Sequence, residues 1–267
     1  MTLALPSDKM IARKDGAIGH VIFNNPERHN AVSLEMWDAL DIILEAYETD
    51  PDIRVVVLSG AGGKAFVSGA DISKFEKERG STDAIQRYNS RVREIYQRIE
   101  RFQKPTIAMI KGHCIGGGLN LAVCSDLRFC STSSKFAMPA AKLGLGYPYD
   151  AIRRLVNAVG PAAAKQLMFT AKSIDADAAL NLGLVQEIIP ADDLEAHVTG
   201  IAGLIANNAP LTVKAMKIIA SEVMEPDPAK RDFGRCDELV AACFASEDYI
   251  EGRTAFMEKR KPVFKGR

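Results

Sequence analysis

From residue 105 the chain reads Pro105-Thr106-Ile107-Ala108-Met109-Ile110-Lys111-Gly112-His113-Cys114-Ile115-Gly116-Gly117-Gly118-Leu119-Asn120. Thr106 to Ile110 is the short apolar run of a strand buried on both faces. It passes through Gly112 into three consecutive glycines, and a short helix is expected to follow through Cys124. A strand that enters a helix through glycines leaves unpaired N–H groups at the helix start. Those groups and the helix dipole attract a negative oxygen, and the missing side chains let a ligand approach the backbone. An earlier segment has the same character. Ile53 to Ser59, with Val55-Val56-Val57-Leu58, reads as a buried strand, followed by Gly60, Gly62 and Gly63 and then by Lys64-Ala65-Phe66-Val67-Ser68-Gly69-Ala70-Asp71-Ile72. One N–H from each segment could form an oxyanion hole, where a single donor is worth roughly 3–4 kcal/mol of barrier. Tight turns at a close crossing of two backbones would use the same glycines. The residues alone leave both readings open and do not show that the segments meet.

Outward from these segments, Ile18 to Asn24 is the first strand candidate, closed by the turn-forming Asn25-Pro26. Ser33 is the expected N-cap of a helix carrying Leu34, Trp37, Leu40, Leu44 and Tyr47 at helical spacing and ending at Asp50-Pro51. Residues 83–102 form a second amphipathic helix. Its apolar stripe is Ile85, Tyr88, Val92, Ile95, Ile99 and Phe102, and its other face carries Arg87, Arg91, Arg93, Arg98 and Arg101. An Arg-rich face could meet RNA or an acidic partner; a solvated face is the expectation, with Glu94 and Glu100 nearby. Asp126 to Ser131 and Leu184 to Ile189 read as strands. Helices are expected over 151–159, 161–170, 175–182, 193–207, 210–223, 229–246 and 248–259. The alternation argues for an α/β core over residues 1–190, and residues 191–267 form a helical C-terminal region.

The 267 residues carry 34 Lys plus Arg against 34 Asp plus Glu, 47% hydrophobic and 25% charged residues, which are globular values. Zero net charge argues against a generic nucleic-acid surface. No apolar run reaches membrane-spanning length, and Lys9 and Asp8 interrupt the N-terminal stretch where a secretory leader would be apolar. Five Cys without CxxC spacing fit reduced thiols and a cytoplasmic location. Gly60 to Lys64 lacks P-loop spacing, no GxGxxG follows the first strand, and Ser68 is not in a GxSxG elbow. His20, His29, His113 and His197 show no metal-ligand spacing, so no metal site is expected.

The two glycine segments, taken with further motifs, resemble the enoyl-CoA hydratase/isomerase (crotonase) family. The matching residues are Asn25-Pro26-Glu27-Arg28-His29-Asn30-Ala31, Ala65 to Ile72, Pro105 to Ile110 leading into Gly116-Gly117-Gly118, and Cys124-Ser125-Asp126-Leu127-Arg128. Phe136-Ala137-Met138-Pro139, Gly183-Leu184-Val185, Glu251-Gly252-Arg253 and Ala255 to Arg260 complete the set. The resemblance implies an α/β fold, a crotonase-like β/β/α spiral core with a helical trimerisation region, assembled as a homotrimer or a dimer of trimers. It implies an acyl-CoA thioester substrate, with coenzyme A as part of that substrate and no separate cofactor. The N–H groups of Ala70 and Gly117 would hold the thioester oxygen and stabilise an enolate. Ser68, Ala70, Asp71, Ile72 and Ser73, with Gly117, Gly118, Ala140 and Tyr147, would line the substrate path. Arg28 and His29 would lie near the nucleotide end, with Lys64 as a further basic candidate. Phe256 and Lys259 match a part that reaches CoA, often from a neighbouring subunit. Asp71 and Asp126 match positions that bond backbone or a basic neighbour.

Two positions depart from the family pattern. Its hydratases carry one glutamate three residues after the middle glycine of the GGG run and another directly after the Pro of Phe-x-x-Pro. Here Asn120 and Ala140 stand there. An amide does not exchange a proton near neutral pH and alanine offers no group, which argues against ordinary hydration. Asn120 could orient a water or a carbonyl. Asp150 could supply an acid or base, although it also reads as the N-cap of the helix from Ala151. Tyr147 and Tyr149 could donate to substrate, with packing the simpler role; His113 reads as a packed neutral histidine. The expected function is an enolate-forming enzyme on an acyl-CoA, with double-bond isomerisation, decarboxylation or hydrolysis open as its reaction. The alternative is an acyl-CoA-binding protein with little catalysis. Segments 73–90 and 140–150 are expected to shape the acyl pocket.

Overall fold

From the third strand to the eighth, successive strands of the chain alternate between two sheets. In this computed structural model, which describes residues 3–74, 78 and 80–267, β1 (Met10–Asp15) and β2 (Ile18–Phe23) form an antiparallel pair. The helix α1 (Leu34–Thr49) follows. Then β3 (Val55–Gly60) joins one sheet and β4 (Ala65–Val67) the other before α2 (Thr82–Glu100). The unit repeats as β5 (Thr106–Ile110), β6 (His113–Ile115), α3 (Gly117–Cys124), and as β7 (Leu127–Ser131), β8 (Lys135–Ala137), α4 (Tyr149–Thr170). β9 (Ile174–Asp175), α5 (Ala176–Asn181) and β10 (Glu187–Ile189) close the spiral. The larger sheet has the order β1-β2-β3-β5-β7-β10 and the smaller β4-β6-β8-β9. Residues 75–77 and 79 of the expected pocket segment, and residues 1–2, lie outside the described residues.

The apolar run of β3 shows why the larger sheet is hidden. Val56 and Leu58 enter the main core with Phe23, Met36, Leu40 and Ile43. Val55 and Val57 point the other way into a second cluster with Leu194, Val198, Ala202 and Ala206 of α6 (Leu194–Ala206). Alternate residues of one strand thus serve opposite faces, which demands an apolar residue at every position. The second face is therefore covered by a helix from beyond residue 190.

Several expectations needed adjustment. β1 precedes the first expected strand. Four short strands of the smaller sheet, each of two or three residues, fell inside segments read as loops. The expected break between helices 151–159 and 161–170 is present: within α4, Gly160 has a φ of 77° and a ψ of 163°, which are not helical, and two helices meet there across a kink. The 229–246 helix is shorter, α8 (Phe233–Phe244), after a 3-10 turn at Pro228–Lys230. On the Arg-rich face of α2, Arg87, Arg93 and Arg101 are exposed as expected, while two arginines are tied to α1. Arg91 bonds Asp38 and Asp41, and Arg98 bonds Asp41 and Glu48, which clips α2 to α1.

The C-terminal helices α7 (Pro210–Val223), α8 and α9 (Glu247–Met257) are anchored by a few polar ties. Lys217 reaches Asp126 at 2.7 Å and the Lys104 carbonyl at 2.9 Å. The Asp248 carboxylate accepts from Lys265 and Gly266 N–H, which folds the tail back on α9. Arg54 holds the carbonyls of Ala206 and Phe264. Among the described residues no helix is long and apolar enough to cross a membrane.

His20, 4% exposed on β2, has a ring Nε2 without a partner. Burial, aided by the Arg13 charge, holds its pKa below the usual 6.5. In the unfolded chain the ring binds a proton near the ordinary value, while the folded chain refuses it until lower pH. This contribution to stability is whole above pH 6.5 and is lost as pH falls toward the depressed folded value. Urea unfolding from roughly pH 7.5 to 5 should show a decline that His20→Phe reduces; equal slopes in both proteins would exclude His20 as its source.

Candidate functional site

Two asparagines build the entrance. Asn30, fully buried with a left-handed φ of 56°, accepts from the Asn25 amide and donates to the carbonyls of Ala61 and Ala65. Asn25 donates to the Ala31 carbonyl. This knot sets the loop 24–33 against β4. Val32 then forms a parallel bridge with Ala70: Val32 N–H bonds the Gly69 carbonyl at 2.8 Å, and Asp71 N–H bonds the Val32 carbonyl at 2.9 Å. The Ala70 N–H, opposite the Gly69 carbonyl in one trans peptide unit, is turned away from that bridge and has no acceptor among the described residues.

The glycine run brings α3 up to this loop. Gly117 is the first helical residue and its N–H also has no acceptor among the described residues. A Cβ placed on Gly117 would lie 3.9 Å from the Ala70 nitrogen, and one on Gly69 would lie 3.7 Å from the Gly117 nitrogen. The two segments therefore meet, with Gly69 and Ala70 against Gly117. Of the two readings of the glycines, the close crossing of backbones is seen directly at one residue. Gly118 is the close crossing, since its Cβ would sit 1.9 Å from the Val67 carbonyl oxygen.

Around the free pair the groups are neutral. Asn120 is 3% exposed and its Oδ1 has no partner. It lies one helical turn from Gly117 and hence on the same face. Tyr96 donates its hydroxyl to the Gly117 carbonyl at 2.9 Å. Burial drives the Tyr96 pKa well up, only moderated by a side-chain hydrogen bond from Asn120, so it stays protonated. The Tyr147 hydroxyl lies 3.7 Å, and the Pro139 ring 3.8 Å, from a Cβ placed on Gly116. Ala140, next to Pro139, is half-buried.

The remaining expected residues divide into groups. Ser68 bonds the Arg28 carbonyl through its hydroxyl and the His29 carbonyl through its N–H. Arg28 is bound to Asp71 and Ser73, and Ser73 also bonds Asp71. Burial pushes the Asp71 carboxyl up, but the Ser73 hydrogen bonds and the Arg28 charge outweigh it and hold the pKa low. Ile72 is 63% exposed beside them. His113 is exposed, with its ring edge-on to His29 at 5.9 Å, so it is not the packed core residue expected. Asp150 does not cap α4; Pro148 does, and Asp150 sits in the first turn near Arg93, 3.7 Å, and Gln97, 3.4 Å. Phe256, 81% exposed, shares a C-terminal apolar groove with Phe244, Tyr249 and Phe264, and Lys259 is exposed just beyond the end of α9. Among the described residues no three His, Cys, Asp or Glu side chains are placed to hold a metal ion.

Tyr96 was missed in the sequence. Its signal was there, since Tyr88, Val92, Ile95, Tyr96 and Ile99 widen the apolar stripe of α2 by one residue.

A profile described as enoyl-CoA hydratase/isomerase matches residues 13–267. The chain belongs to the enoyl-CoA hydratase/isomerase family. This family member is 34% identical over 254 residues to a short-chain-enoyl-CoA hydratase of Clostridium acetobutylicum, covering 95% of this chain and 96% of the relative. It is also 34% identical over 246 residues to the methylmalonyl-CoA decarboxylase of Escherichia coli, covering 91% and 93%. In three dimensions the hydratase/isomerase-family chain matches an enoyl-CoA hydratase/carnithine racemase from Magnetospirillum magneticum. The TM-score is 0.93 at 35% identity, over 98% of this chain and 97% of that one. The expected crotonase-like spiral is thus the fold observed.

Proposed function

We propose that this protein binds an acyl-CoA thioester with its carbonyl oxygen between the N–H groups of Ala70 and Gly117 and works through the resulting enolate. What supports this is that Ala70 and Gly117 lie on two segments in contact and that their N–H groups have no acceptor among the described residues. Such donors are strongest where charge develops away from water. Ser68, Asp71, Ile72 and Ser73 border the path to the site, with Arg28, His29 and Lys64 toward the CoA nucleotide. Coenzyme A comes with the substrate, and no further cofactor is required.

Asn120 and Ala140 stand in place of the two hydratase glutamates, so the reaction is one that needs no carboxylate pair. Decarboxylation meets that condition and agrees with the likeness to a methylmalonyl-CoA decarboxylase. The bond from Cα to the substrate carboxylate breaks, its electron pair moves through Cα onto the thioester oxygen as enolate, CO2 leaves, and a solvent proton is added at Cα. Asp150, near Arg93 and Gln97, would not be needed as base. Isomerisation and hydrolysis use the same hole.

The assay is a panel of CoA thioesters, including crotonyl-CoA, longer enoyl-CoAs and a 2-carboxyacyl-CoA, followed by mass spectrometry. Loss of CO2 or a shifted double bond is expected. Robust hydration of crotonyl-CoA that survives Asn120→Ala would overturn the reading of the missing glutamates. Tight binding with every thioester unchanged would favour a binding protein.

The same reading makes the protein a cytoplasmic homotrimer or dimer of trimers. Phe233, Phe244, Phe256 and Met257 are each more than half exposed on the C-terminal helices, the pattern of a surface covered in an assembly. Lys259 and Phe256 would then contact CoA in a neighbouring subunit.

A further inference from the structure

An oxyanion donor is useful only if it is aimed before the charge develops. Gly117 and Gly118 open a helix of eight residues, and glycine holds a helical first turn poorly by its own preference. At Ala70 the aim is set by Val32, which bonds the carbonyl of the same peptide unit. At Gly117 that carbonyl, Gly116 O, accepts only the first helical hydrogen bond, from Asn120 N–H at 3.0 Å. The next carbonyl, Gly117 O, takes the Tyr96 hydroxyl from a different helix. Tyr96 is itself immobilised: its ring is edge-on to the buried Trp37 at 5.2 Å, and the Arg154 guanidinium lies 5.9 Å from its centre.

We propose that Tyr96 is a positioning residue of the oxyanion hole, its hydroxyl pinning the first turn of α3 so that the Gly117 N–H stays aimed at the ligand oxygen. The inference rests on the thioester reading above.

The test uses the CoA thioester of a para-amino cinnamic acid, a conjugated probe whose absorption moves to longer wavelength when its carbonyl oxygen is polarised. The intact protein should shift the band. Tyr96→Phe, which keeps the ring against Trp37, should lose most of the shift. It should also lower kcat on the acyl-CoA found in the panel by on the order of tenfold to a hundredfold, with KM little changed. Trp37→Phe, which retains the hydroxyl but loosens its support, should give an intermediate shift and covers the case in which Tyr96→Phe does not fold. A full shift in both variants would overturn the role of Tyr96. Absence of a shift in the intact protein would instead overturn the oxyanion-hole reading, and this inference with it.

Discussion

Gly118→Ala should leave little folded protein, although helix propensity alone argues the reverse. Alanine is favoured over glycine inside a helix by about 1 kcal/mol. Here the new Cβ would stand 1.9 Å from the Val67 carbonyl oxygen and 2.7 Å from its carbon. Both are backbone atoms of a strand whose three residues are almost wholly buried, so no flexible side chain can yield. Either α3 or β4 must move and open the core, at a cost of about 3 kcal/mol or more. Soluble yield and the thermal unfolding midpoint give the measurement. A midpoint at or above the parent value would show that the close crossing is not rigid.

Gly117→Pro, one residue earlier, should separate function from stability. Proline is well placed at the first helical position, and the N–H it removes bonds no acceptor among the described residues. Its Cβ would lie 3.2 Å from the Tyr96 hydroxyl oxygen, a contact relieved by a shift of a few tenths of an ångström. The variant should fold, yet turnover of the acyl-CoA consumed by the parent should fall roughly 10²- to 10³-fold, the loss of about 3–4 kcal/mol for one donor. Undiminished turnover in a folded Gly117→Pro protein would remove Gly117 from the chemistry. The opposite expectations for adjacent glycines follow from what each faces: Val67 backbone at Gly118, the neighbourhood of the Ala70 nitrogen at Gly117.

Long apolar or amphipathic runs were legible because burial imposes a period. Thr106–Ile110, the helix of residues 82–100 and the C-terminal helices stand where their patterns put them. The strands of the smaller sheet were not, because two or three residues are too few to show alternation. The part of Arg91 and Arg98 was not legible either, for a different reason. A charge run reads the same whether it faces water, RNA or a helix bearing Asp38, Asp41 and Glu48; only the packing of α1 on α2 decides.

The sequence by itself determined an α/β core and the pair of glycine segments, through periodicity and local motifs, and the family, through the joint resemblance of those motifs, which implied the spiral. Tertiary structure alone decided that the segments meet, that Gly118 is needed for the crossing while Gly117 lies beside Ala70, and that Tyr96 and Asn120 share a hydrogen-bonded corner. Contacts between residues far apart in the chain depend on how sheets and helices stack, and no local pattern records that distance.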